Sequence, residues 1–125
     1  MATSAGYYTH HFFGPGHWEG KAFNPIEKDK GYGYNIFKDA EGKIYRTRRM
    51  DTEIGLSTQD GKPAFKINYN AYNSGTVQSM RDEIRKINNH LFIGIGYMGL
   101  GGGSINPAPF VLMGPAKEWV GVDKQ

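Results

Sequence analysis

The stretch 43-KIYRTRRMDTEIGL-56 reads as one long β-strand, and the side on which its arginines fall decides what kind of sheet the chain builds. Side chains alternate faces along a strand, so every second residue shares a side. Ile44, Met50, Ile54 and Leu56 then lie on one face. Arg46, Arg48 and Thr52 lie on that same face, while Tyr45, Thr47, Arg49, Asp51 and Glu53 lie on the other. If the aliphatic face is the interior, two guanidinium groups point inward. An inward arginine without a partner loses hydration worth several kcal/mol. It therefore calls for a carboxylate, water or an anionic ligand. A β-bulge anywhere in so long a run would reverse the parity and send Arg46 or Arg48 to solvent.

The rest of the chain is read outward from this strand. Its 125 residues favour a single domain with one modest core or one small cavity. Glycine is abundant (18 residues), and tyrosine and phenylalanine are frequent. That composition suits twisted strands with tight corners. A net charge of +3 is far from the clustered basic stripe of a nucleic-acid binder. Cysteine is absent, which removes disulfides and thiolate chemistry. No signal peptide is read at the N-terminus, and no apolar run approaches the ~20 residues of a membrane span. The expectation is a soluble, cytoplasmic protein.

Residues 1–15 are expected to form an N-terminal arm or short helix, and residues 16–125 the folded domain. Strands are expected at Trp18–Asn24, Tyr32–Lys38, Lys43–Ser57 and Ala64–Tyr72. The Asp60-Gly61 pair marks a hairpin between the last two. In Ala64–Tyr72, Phe65, Ile67, Tyr69 and Ala71 alternate with Lys66, Asn68 and Asn70, the pattern of a half-buried strand. Residues 76–90 allow two readings. Val77, Met80, Ile84, Ile87 and Leu91 recur at helical spacing, with Ser74 or Thr76 as a cap. The alternative is a strand Met80–Ile87, an Asn-Asn turn and a strand Leu91–Met98, which the flanking β-structure favours. Phe110–Met113 and the Glu118–Val122 segment complete the set. About eight antiparallel strands joined in sequence predict an all-β, up-and-down barrel, since closure removes exposed edges and leaves room for one small ligand.

Gly16-His17-Trp18 is a G-x-W triplet at the head of the first strand. Together with WEGKAFN, GYGYNIF and DEIRKINNHLFIGIGY, it resembles lipocalin-like (calycin) barrels, in particular small bacterial lipocalin-like domains. The resemblance spans residues 16 to about 113 and implies that Trp18 plugs the closed end of the barrel beneath a ligand. Fatty-acid-binding proteins, which lack disulfides as this chain does, hold a carboxylate with internal arginine and tyrosine. By that likeness Arg46, Arg48, Tyr34 and Tyr69 become ligand contacts.

Parity places Asp82 inward with Met80 and Ile84. Two inward arginines against one carboxylate leave a positive surplus, suited to a ligand carboxylate gripped bidentately. The expected function is binding of a small amphipathic, anionic molecule in the barrel. The alternative is a cofactor-independent isomerase, cyclase, dehydratase or decarboxylase, with Asp82 or His17 moving a proton. No cofactor and no metal are expected: His10, His11, His17 and Glu19 match no closed zinc spacing. GIGYMG (Gly94–Gly99) matches a dinucleotide fingerprint literally. The glycine-rich run after it cannot open the helix that binding requires, so its glycines are assigned to a bend in the strand. An exposed edge strand would favour a homodimer.

Overall fold

The computed structural model of the chain describes residues 15–99, 102–105 and 107–121. The expected arm, apart from Pro15, lies outside them. Seven strands run in sequence order: β1 (His17–Pro25), β2 (Lys30–Lys38), β3 (Ile44–Leu56), β4 (Pro63–Asn68), β5 (Met80–Asn88), β6 (Leu91–Met98) and β7 (Ala108–Met113). Each pairs antiparallel with the next in a single sheet. The sheet curls through 250° into an open half-barrel, so the expected closed barrel of about eight strands is corrected to seven strands and a seam between β1 and β7.

Residues 76–90 settle the helix–strand ambiguity in both directions. One helical turn, α1 (Gly75–Gln78), follows Ser74 at its N-cap, and β5 begins at Met80. The long helix fails because Asp82 and Ile84 face the core together, which is strand periodicity. The Glu118–Val122 segment forms no strand over its described residues 118–121. Trp119 instead lies against Tyr34 and Tyr32, with centroids 4.8 and 5.5 Å away. This chain beyond β7 therefore spans the seam, reaching from the end of the last strand to the convex side of β2.

The core is a continuous cluster of Met50, Ile67, Tyr69, Val77 and Ile84. Phe23, Phe65, Met80, Phe92, Phe110 and Leu112 pack against it, only partly buried. Each fully buried apolar side chain of this size contributes about 1.5–3 kcal/mol. The cluster draws on β3, β4 and β5, and the partly buried ring adds β1, β6 and β7, so the concave face ties both ends of the sheet to its centre.

Two bulges determine which residues occupy that face. On β3, Thr47 pairs with Asn35 and Met50 with Gly33, so Arg48 and Arg49 together oppose Tyr34. Arg48 takes the left-handed conformation at φ 55°, the conformation a bulge usually gives to glycine. Thr47 and Met50, which strict alternation separates, are thereby brought to the same side. On β1, Trp18 pairs with Phe37 and Gly20 with Ile36, which leaves Glu19 as the extra residue. The effect is the same: Trp18 and Lys21 now share the concave face.

The expected inward placement of Arg46 and Arg48 is corrected by this geometry. Arg46 is in register with Ile36, on the convex face, and Arg48 forms the bulge itself. Tyr34, expected at the ligand, also lies on the convex side. It is nearly inaccessible there, with Trp119 against its ring.

Candidate functional site

The concave face carries a charged cluster at its centre. Lys21 of β1 reaches Asp82 of β5 with Nζ 2.9 Å from Oδ2, although three strands lie between β1 and β5 in the sheet order. Their side chains are only 5 % and 3 % exposed, which makes this a buried ion pair. The ammonium also donates to Tyr69 Oη (2.6 Å) and to Asn35 Oδ1 (2.8 Å). Tyr69 in turn donates to Asp82 Oδ2 (2.8 Å) and accepts from Asn35 Nδ2 (3.1 Å). Trp18 donates its indole N–H to Asn35 Oδ1 (3.0 Å). Five side chains from four regions of the chain thus share one hydrogen-bond network.

Aromatic rings surround the cation. Lys21 Nζ stands 5.5 Å from the Trp18 ring and 5.3 Å from those of Tyr69 and Phe110. These distances fall within the range of cation–π attraction. Trp18 and Phe110 meet edge to face across the seam at 5.8 Å. The Tyr69 hydroxyl is held well above its ordinary pKa by burial and by the negative charge of Asp82, partly offset by the Asn35 hydrogen bond. At neutral pH it is therefore a phenol that donates one proton, not a base.

Glycines on β6 make room for this arrangement. Ordinary β-carbons added to Gly94 and Gly96 would stand 2.2 Å from the Phe110 ring and 2.9 Å from Asp82 Oδ1. The Gly94–Gly99 match is therefore a space-filling feature of a strand, with Phe110 lying over one glycine and the Asp82 carboxylate against the other. Strand and not helix occupies its first five residues, since β6 runs to Met98.

The structure brings Trp18, Tyr69 and Asp82 together. It places Arg46 and Tyr34 on the opposite face and Arg48 in the bulge, where its carbonyl oxygen accepts from Asn35 Nδ2, and His17 lies exposed at the start of β1. Lys21 and Asn35 were missed. Parity counted from Trp18 puts Lys21 outside, whereas parity counted back from Phe23 puts it inside. Asn35 shares a face with Phe37 by the same count. The signal was present, but the bulge between Trp18 and Lys21 hid which count was correct.

On the convex side, Glu83 is buried beneath the β3–β4 turn. It accepts from the Thr58 amide and hydroxyl and from Tyr97 Oη. Burial would raise its pKa, but hydrogen bonds from Ser57, Thr58 and Tyr97 outweigh this and hold the carboxyl below its ordinary value. Arg85 forms an exposed ion pair with Asp60 of the same turn. These contacts pin the turn to β5 and have no access to the concave face.

Among the described residues no group of three histidine, aspartate or glutamate side chains could hold a metal ion. No helix among them is long and apolar enough to cross a membrane. Compared with known proteins, the chain matches no family model, no curated protein and no solved structure.

Proposed function

We propose that the concave face binds a small amphipathic molecule. Its apolar body would lie against the half-buried Phe23, Phe65, Phe92, Phe110 and Leu112, and its polar end would meet the Lys21–Asp82–Tyr69 cluster. The observation that carries this reading is the combination of a buried charged cluster with a set of aromatic rings around the core that are only partly buried. Concave, mostly apolar sites with a few convergent polar groups are where small molecules bind. The lipocalin-like resemblance of the sequence supports the same reading, since such barrels use their lumen in this way.

Lys21 takes the part expected of the two arginines, but with a different charge balance. One ammonium faces one carboxylate, so the surplus that argued for an anionic ligand is absent from the cluster.

The competing enzyme reading draws on the same residues. Asp82 would be its base through Oδ1, since Oδ2 is engaged by Lys21 and Tyr69. Binding requires no such proton transfer and is the reading proposed.

Trp18 lies in the cluster and Trp119 outside it, which provides the test. In a Trp119→Phe background, tryptophan emission reports on Trp18 alone. Mass spectrometry of protein kept native after purification from cells should reveal a co-purifying small molecule, and adding that molecule back to stripped protein should change Trp18 emission saturably. Absence of any bound species, together with unchanged emission across a panel of apolar alcohols, acids and amines, would remove the proposal.

A further inference from the structure

Hydrogen-bond capacity in the cluster can be counted group by group. The three N–H donors of Lys21 go to Asn35 Oδ1, Tyr69 Oη and Asp82 Oδ2. Tyr69 Oη accepts from Lys21 and Asn35 and gives its proton to Asp82. Asn35 Oδ1 accepts from Trp18 and Lys21, and Nδ2 donates to Tyr69 and to the Arg48 carbonyl oxygen (3.4 Å). A phenol and an amide so engaged have no capacity left to offer. Asp82 Oδ1 differs: no described group donates to it. No buried side-chain nitrogen or oxygen among the described residues lacks a partner, so this oxygen must retain contact with solvent. It lies against Gly96, where an added β-carbon would stand 2.9 Å away.

Resting on the binding reading above, we infer that the polar end of the ligand is a neutral hydroxyl that donates to Asp82 Oδ1. The one open position in the cluster is an acceptor, so it selects a donor. A ligand carboxylate would meet Asp82 as a like charge and could reach Lys21 only by displacing partners already in place. An ammonium would satisfy Oδ1 but would bring a second cation to a carboxylate that already neutralises Lys21. A hydroxyl gains a charge-assisted hydrogen bond with neither cost.

The test compares 1-decanol, decanoate and decylamine, which share one apolar chain, by calorimetric titration of the full chain below the self-association limit of each. Decanol is expected to bind tightest, by roughly tenfold or more over decanoate, the worth of one charge-assisted hydrogen bond. Gly96→Ala, whose methyl would stand 2.9 Å from Oδ1, should weaken decanol selectively. Asp82→Asn leaves Lys21 as an uncompensated cation, and its order should reverse in favour of decanoate. If that variant does not fold, as judged by circular dichroism, the wild-type order and Gly96→Ala decide. Tightest binding of decanoate or decylamine by the wild type, or unchanged decanol affinity in Gly96→Ala, overturns the hydroxyl assignment and leaves the binding reading standing. No binding of any of the three overturns both.

Discussion

Replacing Lys21 by methionine keeps the length of the side chain and removes its charge, and the resulting loss of stability can be worked from the geometry. Nζ lies 2.9 Å from Asp82 Oδ2. At an effective dielectric of about 20 their attraction is roughly 6 kcal/mol before desolvation is counted. Burying each ion costs several kcal/mol, so the intact pair contributes little net stability. Removing one partner is different, because the other keeps its burial cost without its compensation. At 5 % and 3 % exposure, solvent does little to relieve it.

Lys21→Met and Asp82→Leu should therefore each lose about 3–5 kcal/mol. The double variant, which buries neither charge, should lie within about 2 kcal/mol of the wild type. The coupling between the sites, the summed single losses less the loss of the double variant, should then be at least about 4 kcal/mol, above the usual range for residues in contact. Urea unfolding followed by far-ultraviolet circular dichroism reads this as a midpoint shift of roughly 2 M for each single variant. Single losses below ~1 kcal/mol, or losses that simply add in the double variant, would refute the reasoning that the pair is buried and mutually dependent.

Three further outcomes follow from particular contacts. Gly94→Ala would drive a methyl into the Phe110 ring and should cost about 1–3 kcal/mol in thermal melts, with partial recovery in Gly94→Ala/Phe110→Leu. Arg48 occupies a left-handed bulge, so Arg48→Val should be less stable than Arg48→Gly by about 1 kcal/mol or more, measured side by side by denaturant titration. The folded-state pKa of Tyr69 is raised, so its proton stabilises the fold below the unfolded value of 10.0, and that stability falls as pH rises above it. Ultraviolet difference absorbance should show one tyrosine ionising only with unfolding, and Tyr69→Phe should remove its share of the alkaline loss.

Much of the sheet was legible because the signals are local. Alternation in AFKIN, the Asp60-Gly61 turn and the Asn-Asn turn before LFIGIGYM each fix a strand or a hairpin without reference to the rest of the chain. Asp82 was also legible: no bulge lies between it and the Met80–Ile84 pattern that indicated its side. Strand count and closure were less legible. The aromatic and aliphatic residues of Glu118–Val122 looked like an edge strand, but Trp119 packs against Tyr34 and Tyr32 and the segment's described residues 118–121 form no strand.

Sequence alone thus determined an all-β, up-and-down sheet with one carboxylate facing inward, because hydrophobic periodicity and turn chemistry act over a few residues. Only the tertiary structure decided which cation meets that carboxylate. Glu19 and the Arg48–Arg49 pair each add one residue against a partner strand, and each addition reverses the facing of everything on one side of it. A bulge changes neither composition nor propensity, so the exchange of two arginines for Lys21 is visible only once the strands are paired.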